Sequence, residues 1–465
     1  MKTKKTFNKF TTFFLVLFLS LTFFMAGALY PTDGWAQATS YTGKLSDGAT
    51  DYNLVVPQNW NGTLLASLDT LGLGTVRNWF LDHGYALAGT ARGPAFWDLT
   101  YNANNIIEAM EIFEDLVGKP DRTVIWGMSR GGITARAALQ LYPERFDGAV
   151  PMCGGGAGTV AMWNTKLDAT FALDVLLGSE YGLRLRLNNI SNAELATEMN
   201  YINQIITLAQ QTPQGRARVA LAGAFAQVST WNTPGQIEPA KDDYDLQESN
   251  VASALGFGLG TMFIPFLEGL AGGPFTWNHG IDYRVQLAHS GYEKMVHALY
   301  KKAGLNLEAD LRRLAKAPRV SADPDAVSFI EKENMTWTGE LQQPVLDITT
   351  TGDPAGPISD EHSYAEIVRY AGNNKLLREA FVHRAGHCNF TPGEQIAAFV
   401  TLFKRLDTGK WEDDASAHGL TKLVEELQAE SSVNLGGSNF VHIEPPNPMR
   451  TWDVRNWDTY SPDMK

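Results

Sequence analysis

The sequence predicts an α/β protein, a mostly parallel sheet flanked by helices and interrupted by an inserted helical domain. Three observations predict it. Strand-like and helix-like segments alternate from about residue 50 to 155, and again from about residue 342. The strand-like runs are apolar on both faces, as strands covered by helices on each side must be. Between these stretches, from Ala157 to Leu341, the alternation stops and apolar residues recur at helical spacing.

The elements follow in order. "DYNLVVPQNW" and "GTLLASL" read as strands around the turn Asn59-Trp60-Asn61-Gly62. "VRNWFLDHG" reads as a helix closed by Gly84, "YALAGTARG" as a strand, and "NANNIIEAMEIFEDLVG" as a helix closed by Gly118. "TVIW" is the next strand, "GGITARAALQLY" a helix stopped before Pro143, and "GAVPMCGGG" a strand ending in glycines. The middle segment carries Trp163, Phe171, Trp231, Phe257, Phe263, Phe266, Phe275 and Trp277 and reads as a helical cap. Its run "VASALGFGLGTMFIPF" is short for a membrane span and is broken by Pro265, so a buried or lid helix is expected. Beyond the cap, "PVLDITTTGD" is a strand, "DEHSYAEIVRYAG" a helix, "LLREAFVHRAGH" a strand running into a loop, and "PGEQIAAFVTLFKRL" a helix with Pro392 in its first turn.

The N-terminus reads as an export signal. Lys2, Lys4, Lys5 and Lys9 precede an apolar run from Thr11 to Leu29, which Pro31 and Gly34 break, and Ala36-Gln37-Ala38 supplies a cleavage site. Cleavage after Ala38 is expected, giving a secreted or periplasmic bacterial protein with no stable membrane association; an uncleaved anchor is the alternative. The expected organisation is a signal peptide over 1–38, core over 39–156, cap over 157–341, core again over 342–430, and an extended tail over 431–465. The net charge of −13 disfavours nucleic acid as a partner. Two cysteines exclude a cysteine-rich zinc site.

Gly127-Met128-Ser129-Arg130-Gly131 fits G-x-S-x-G, with a strand before it and a helix after it. That context is what a nucleophile elbow requires: glycines let strand and helix approach closely around a serine held on a strained turn, and the helix N-terminus favours developing negative charge. A plain glycine-rich turn or phosphate cradle is the structural alternative. A serine needs a base, and the base an orienting acid. Of nine histidines, His387 lies in the loop "HRAGHCNF" after the last strand of the core, whereas His383 sits inside that strand and reads as structural. Asp353 in "TTTGDPAGP" follows the preceding strand. Asp347, inside that strand, would need a partner there, and Asp360 reads as a helix N-cap.

The order Ser129, Asp353, His387, carried by "GMSRGG", "TTGDPAGP" and "RAGHCNF", resembles that of the α/β-hydrolase superfamily, in particular a secreted bacterial serine esterase with a large helical cap. The resemblance covers residues 50–155 and 340–410 and implies a Ser-His-Asp triad working through an acyl-enzyme, without metal or cofactor. Members often carry His-Gly after the third strand. Here Leu68, Asp69 and Thr70 stand there, so the oxyanion hole is expected from the backbone N–H of Arg130 and that of Asp69 or Thr70. The Arg130 side chain has two readings, a substrate contact or a salt bridge beneath the site.

Cys153, ending the strand after the nucleophile's helix, and Cys388, adjoining His387, are expected to form a disulfide that pins the histidine loop; two free buried thiols are the alternative. The expected partner is a small-molecule ester with an apolar or aromatic part. A peptidase for short peptides is the runner-up, needing an acidic cap residue such as Glu180, Glu194 or Glu268 near the substrate's amino group. A non-catalytic binding protein on a hydrolase scaffold is the third reading.

Overall fold

β5 (Arg122–Met128) occupies the middle of a nine-stranded sheet. The other strands are β1 (Ala38–Lys44), β2 (Asp51–Pro57), β3 (Thr63–Ser67), β4 (Ala86–Thr90), β6 (Gly148–Met152), β7 (Val345–Gly352), β8 (Leu377–Ala385) and β9 (Phe440–Val441). The structure, a computed structural model, describes residues 38–69, 74–93, 96–333 and 336–450. The predicted signal sequence falls on residues outside these, up to Ala38, which opens β1.

The strand order is β1-β2-β4-β3-β5-β6-β7-β8-β9. β4, β3, β5, β6, β7 and β8 run parallel; β1–β2, β2–β4 and β8–β9 pair antiparallel. The chain leaves β3 toward β4 and leaves β5 toward β6, on the other side. The crevice between these two strand ends is the topological switch point where α/β sheets place their sites.

Alternation along each strand feeds two cores. Leu64, Ala66 and Ile125 face one side, against α2 (Leu99–Leu116), α3 (Arg130–Leu141) and the helix Ile358–Tyr370. Leu65, Val124 and Trp126 face the other, against α1 (Gly74–Asp82) and the helix Pro392–Thr408. β3, β4 and β6 are buried along their whole length, so every side chain in them adds to one core or the other. Each Leu or Phe buried in this way contributes about 1.5–3 kcal/mol. Each of α2, α3 and the later core helices also ends near the glycine or proline that the sequence offers as a stop.

Ten consecutive α-helical segments, from α4 (Gly158–Leu173) to Pro324–Glu333, are inserted between β6 and β7, and much of this insertion packs around a core of its own. The segment Tyr244–Ala271 is long and apolar enough to cross a membrane by composition alone. Here it is largely buried within the protein and broken at Gly260, which takes the left-handed conformation, φ 62°. The tail adds β9 to the edge of the sheet, and Arg450 ties it to the cap by donating to Asp168 at 2.8 Å and to the carbonyl of Trp277 at 3.0 Å.

Candidate active site

Three strand ends meet at one rim. Ser129 follows β5, Asp353 follows β7, and His387 lies in the loop after β8. Ser129 has φ 56° and ψ −122°, a sparsely populated conformation that costs on the order of 1–3 kcal/mol. What holds it there is close packing. A Cβ on Gly127 would sit 2.3 Å from the carbonyl carbon of Gly131, and one on Gly132 would sit 2.7 Å from the Met152 carbonyl oxygen. The Ser129 N–H donates to that same Met152 carbonyl at 2.9 Å.

Ser129 stands at the N-cap of α3 yet makes no side-chain capping bond. Its hydroxyl turns instead to His387, with Oγ 2.8 Å from Nε2. On the far side of the ring, Nδ1 lies 2.7 Å from Asp353 Oδ2 and 3.0 Å from Oδ1. Asp353 is itself held: its Oδ1 accepts the N–H of Ala355 at 2.7 Å and of Gly356 at 3.1 Å, and the residue is 1% exposed. Burial disfavours a charged His387, but the Asp353 charge and hydrogen bond, helped by Glu361, outweigh it and raise the pKa overall. A base must be unprotonated to take a proton, so activity is expected to rise with pH, with a midpoint above the ordinary histidine value. A pH profile of kcat/KM checks this; a midpoint at or below that value contradicts it.

The histidine loop is braced throughout. Cys153 and Cys388 form a disulfide across 235 residues, with Cα atoms 5.5 Å apart, so neither is a free thiol. Such a link constrains the unfolded chain and contributes about 2–5 kcal/mol. Its Cys388 Sγ packs 3.5 Å from His387 Nε2. Arg384 pairs with Glu394 and donates to the Asn389 carbonyl at 2.9 Å, tying the loop to the helix that follows. Cys153 and Cys388, like Ser129, have positive φ (44° and 50°), so strain concentrates around Ser129 and His387.

Beneath the rim lies a buried ionic cluster. Arg136 of α3 pairs with Asp347 of β7 and, at 2.9 Å, with Glu361. This is the partner that Asp347 needs inside its strand. Glu361 also accepts the Gly155 N–H at 2.7 Å, so the cluster positions the loop after β6. Burial pushes the Asp347 carboxyl up to about 7 against the pull of Arg136. Arg136→Met strands two buried carboxyls and is expected to cost about 3–5 kcal/mol, read as a lower urea midpoint in equilibrium unfolding.

Asp69 lies just past β3, its carboxylate paired with Arg92 at 2.6 Å. Arg92 also donates to the Met128 carbonyl at 3.1 Å, linking the two strand ends of the switch point. Thr70 lies outside the described residues. The Arg130 guanidinium donates to the carbonyls of Phe96 and, at 3.2 Å, Arg92; among the described residues it makes no ion pair. Its backbone N–H is the first of α3. His383 has a structural setting, its ring tilted at 46° against Trp231 with centroids 4.8 Å apart, and 3.2 Å from Glu238.

Ser129 and His387 open into a cleft walled by Trp97, Ile133, Met162, Trp163, Phe257 and Phe263, a largely apolar lining of the kind that holds small organic ligands. Lys166 and Asp360 also line it. Asp360 is no N-cap: the helix starts two residues earlier, behind Pro357 in extended conformation, which turns Asp360 into the first turn and toward the cleft. Glu180 pairs with Arg218, Glu194 with Arg186, and Glu268 accepts the Ile190 N–H at 3.2 Å; none of the three lines the cleft. The contributions of Lys166 and Trp97 escape sequence reasoning, although a lysine within the apolar run "GTVAMWNTKLDATFAL" is a signal in hindsight.

No protein-family profile matches the chain. Among solved structures, it is similar to feruloyl esterase B from Aspergillus oryzae (TM-score 0.40, 14% identity, 81% of each chain covered). It is also similar to an esterase from Pyrococcus furiosus (TM-score 0.37, 11% identity, 82% of this chain and 96% of that one). Among curated proteins, it is 31% identical over 405 residues to the o-phthalyl amidase of Xanthobacter agilis, covering 80% of this chain and 88% of that protein. With that relative, the chain belongs to one family with the o-phthalyl amidase, and its sheet has the α/β-hydrolase fold.

Proposed function

We propose that the chain is a serine hydrolase that cleaves carboxylic acid derivatives through an acyl-enzyme on Ser129. The observation that carries this reading is the unbroken hydrogen-bond chain from Ser129 Oγ through His387 to buried Asp353, at the mouth of an aromatic cleft. His387 Nε2 takes the hydroxyl proton as Oγ attacks the carbonyl. The N–H of Arg130, with one from the Asp69–Thr70 stretch, holds the oxyanion. The imidazolium, stabilised by Asp353, then protonates the leaving group, and water attacks the ester by the same route in reverse. In this reading the core supplies the chemistry and the cap, over 157–341, supplies Met162, Trp163, Phe257 and Phe263 to the apolar wall of the acyl pocket.

The primary reading is an ester with an aromatic acyl part, because four of the cleft's wall residues are Trp or Phe. A second reading, an amide, is supported by the relative named for phthalyl amides. The chemistry is shared; an amide asks more of His387, which must protonate the amine as it departs. The peptidase reading loses support, since none of Glu180, Glu194 and Glu268, the acidic cap residues it calls on, lines the cleft. We further place the protein outside the cytoplasm, its signal sequence removed; the disulfide suits an oxidising compartment.

Paired substrates with one aromatic acyl group, a p-nitrophenyl ester and a p-nitroanilide, test the reading. Hydrolysis of the ester alone supports the first form, and hydrolysis of both supports the amide. Hydrolysis of neither, with no labelling by a fluorophosphonate, returns the chain to a binding scaffold.

A further inference from the structure

Asp69 puts a carboxylate beside the groups that are to hold an oxyanion. It is the only charged residue in "LLASLDTLGLG". Its Oδ2 lies 3.1 Å from where a Cβ on Gly131 would stand, against the first turn of α3. The Arg130 N–H of that turn is one of the two donors assigned to the oxyanion above. A helix N-terminus attracts negative charge, so a free Asp69 carboxylate competes with the oxyanion for these N–H groups. An unpaired anion there also repels the charge that develops on the substrate.

Arg92, just past β4, removes both problems. It grips the carboxylate with two bonds, Nε to Oδ1 at 2.6 Å and Nη2 to Oδ2 at 3.1 Å. Such a fork fixes direction as well as charge, which a lysine cannot do. Nη2 also donates at 3.1 Å to the carbonyl of Met128, the residue before Ser129. β4, β3 and β5 are neighbours in the sheet, so one guanidinium joins the ends of all three. Each end is itself fixed. The Arg92 carbonyl accepts from the buried Arg130 guanidinium at 3.2 Å, and the Asp69 carbonyl accepts from Ser67 Oγ at 2.7 Å. The paired side chains are 38% and 31% exposed, where an ion pair adds little to stability. Placement is what the pair contributes.

We propose that Arg92 is a positioning residue for the oxyanion hole. It holds the Asp69 carboxylate away from the N–H groups of α3, cancels its charge, and sets the Asp69 backbone against the nucleophile elbow. This rests on the serine-hydrolase reading above and adds a residue to that site. Arg92 acts through Asp69 and Met128 and is assigned no bond to substrate. The arrangement also gives Gly131 a reason to be glycine, because a side chain there crowds the oxygen that Arg92 holds. The Arg130 side chain in turn anchors the Arg92 backbone.

Steady-state hydrolysis of p-nitrophenyl benzoate tests this, with wild type and Ser129→Ala run alongside. Arg92→Met is expected to lower kcat by about 10²–10³, the cost of one oxyanion donor, with KM held within about threefold. Inhibition by benzeneboronic acid, whose tetrahedral adduct on Ser129 carries an oxygen in the oxyanion position, should weaken in parallel, and inhibition by benzamide should not. The decisive variant is Arg92→Met with Asp69→Asn. Removing the stranded anion is expected to recover about tenfold or more of the kcat lost in Arg92→Met, although a second contact has been deleted. A merely structural Arg92 predicts the opposite, a double variant no faster than the single one. The proposal is overturned by that result, or by an Arg92→Met protein whose kcat stays within about threefold of wild type. Should Arg92→Met fail to fold, Arg92→Gln, which can keep the bond to Met128 but not the charge, decides by the same criteria. A wild type without turnover, or turnover that survives Ser129→Ala, overturns the serine-hydrolase reading and this proposal with it.

Discussion

Ser129→Ala is expected to lower kcat by about six orders of magnitude while leaving the fold intact. In the proposed mechanism the hydroxyl is the attacking atom, and the two cysteine sulfurs cannot replace it, because they are joined to each other. The fold should persist because the elbow is held by backbone contacts. Its main-chain bond to Met152 and the close approach of Gly127 to Gly131 do not involve the Ser129 side chain. Alanine keeps the Cβ, so the strain at φ 56° neither grows nor is relieved. What is lost is one hydrogen bond to His387, worth about 0.5–1.5 kcal/mol. Circular dichroism and the thermal midpoint should therefore stay close to wild type while turnover vanishes. A variant that keeps measurable turnover would move the nucleophile elsewhere.

Asp353→Asn is expected to cost about 10⁴ in kcat. The reason lies in how the carboxyl is held. Oδ1 accepts two backbone N–H groups, from Ala355 and Gly356, so the amide oxygen of asparagine must take that position. The NH₂ group then falls where Oδ2 was, 2.7 Å from His387 Nδ1, and donates to it. An imidazole that accepts at Nδ1 carries its proton on Nε2 and cannot take one from Ser129. The loss should be partly relieved at high pH, where the serine hydroxyl needs less help, and fluorophosphonate labelling should slow in parallel. An Asp353→Asn protein within tenfold of wild type would show that another group orients the histidine.

Much of this was readable before any coordinates, and the reasons are local. "TVIWGMSRGG" announces its own geometry, because only small residues permit the approach seen at Gly127 and Gly132. Asp353 and His387 stand in loops directly after apolar runs, and a parallel sheet brings such loops to one edge. The two cysteines likewise follow from strand ends that meet. β1 gives no such signal: "ATSYTGK" is an exposed edge, specified by its pairing with β2 and not by an apolar pattern. The helix Ala417–Glu430 and the short β9 lie where the sequence turns polar, and their places come from packing on the helix Pro392–Thr408 and on β8.

Asp360 shows a subtler failure. A charged residue opening a helical run looks like a cap, but the proline three residues earlier moves the start of the helix and sends the carboxyl into the cleft. Lys166 could be placed only by tertiary structure. It belongs to a cap helix that is buried on nearly every side, so no amphipathic pattern marks which face meets Ser129.

The most direct measurement is the intact mass and peptide map of the purified protein after treatment with a fluorophosphonate. The expected result is one equivalent of adduct on Ser129, absent from Ser129→Ala and slower to form in Asp353→Asn. Adduct on a different residue, or hydrolysis by a protein that never forms one on Ser129, would contradict the proposed acyl-enzyme.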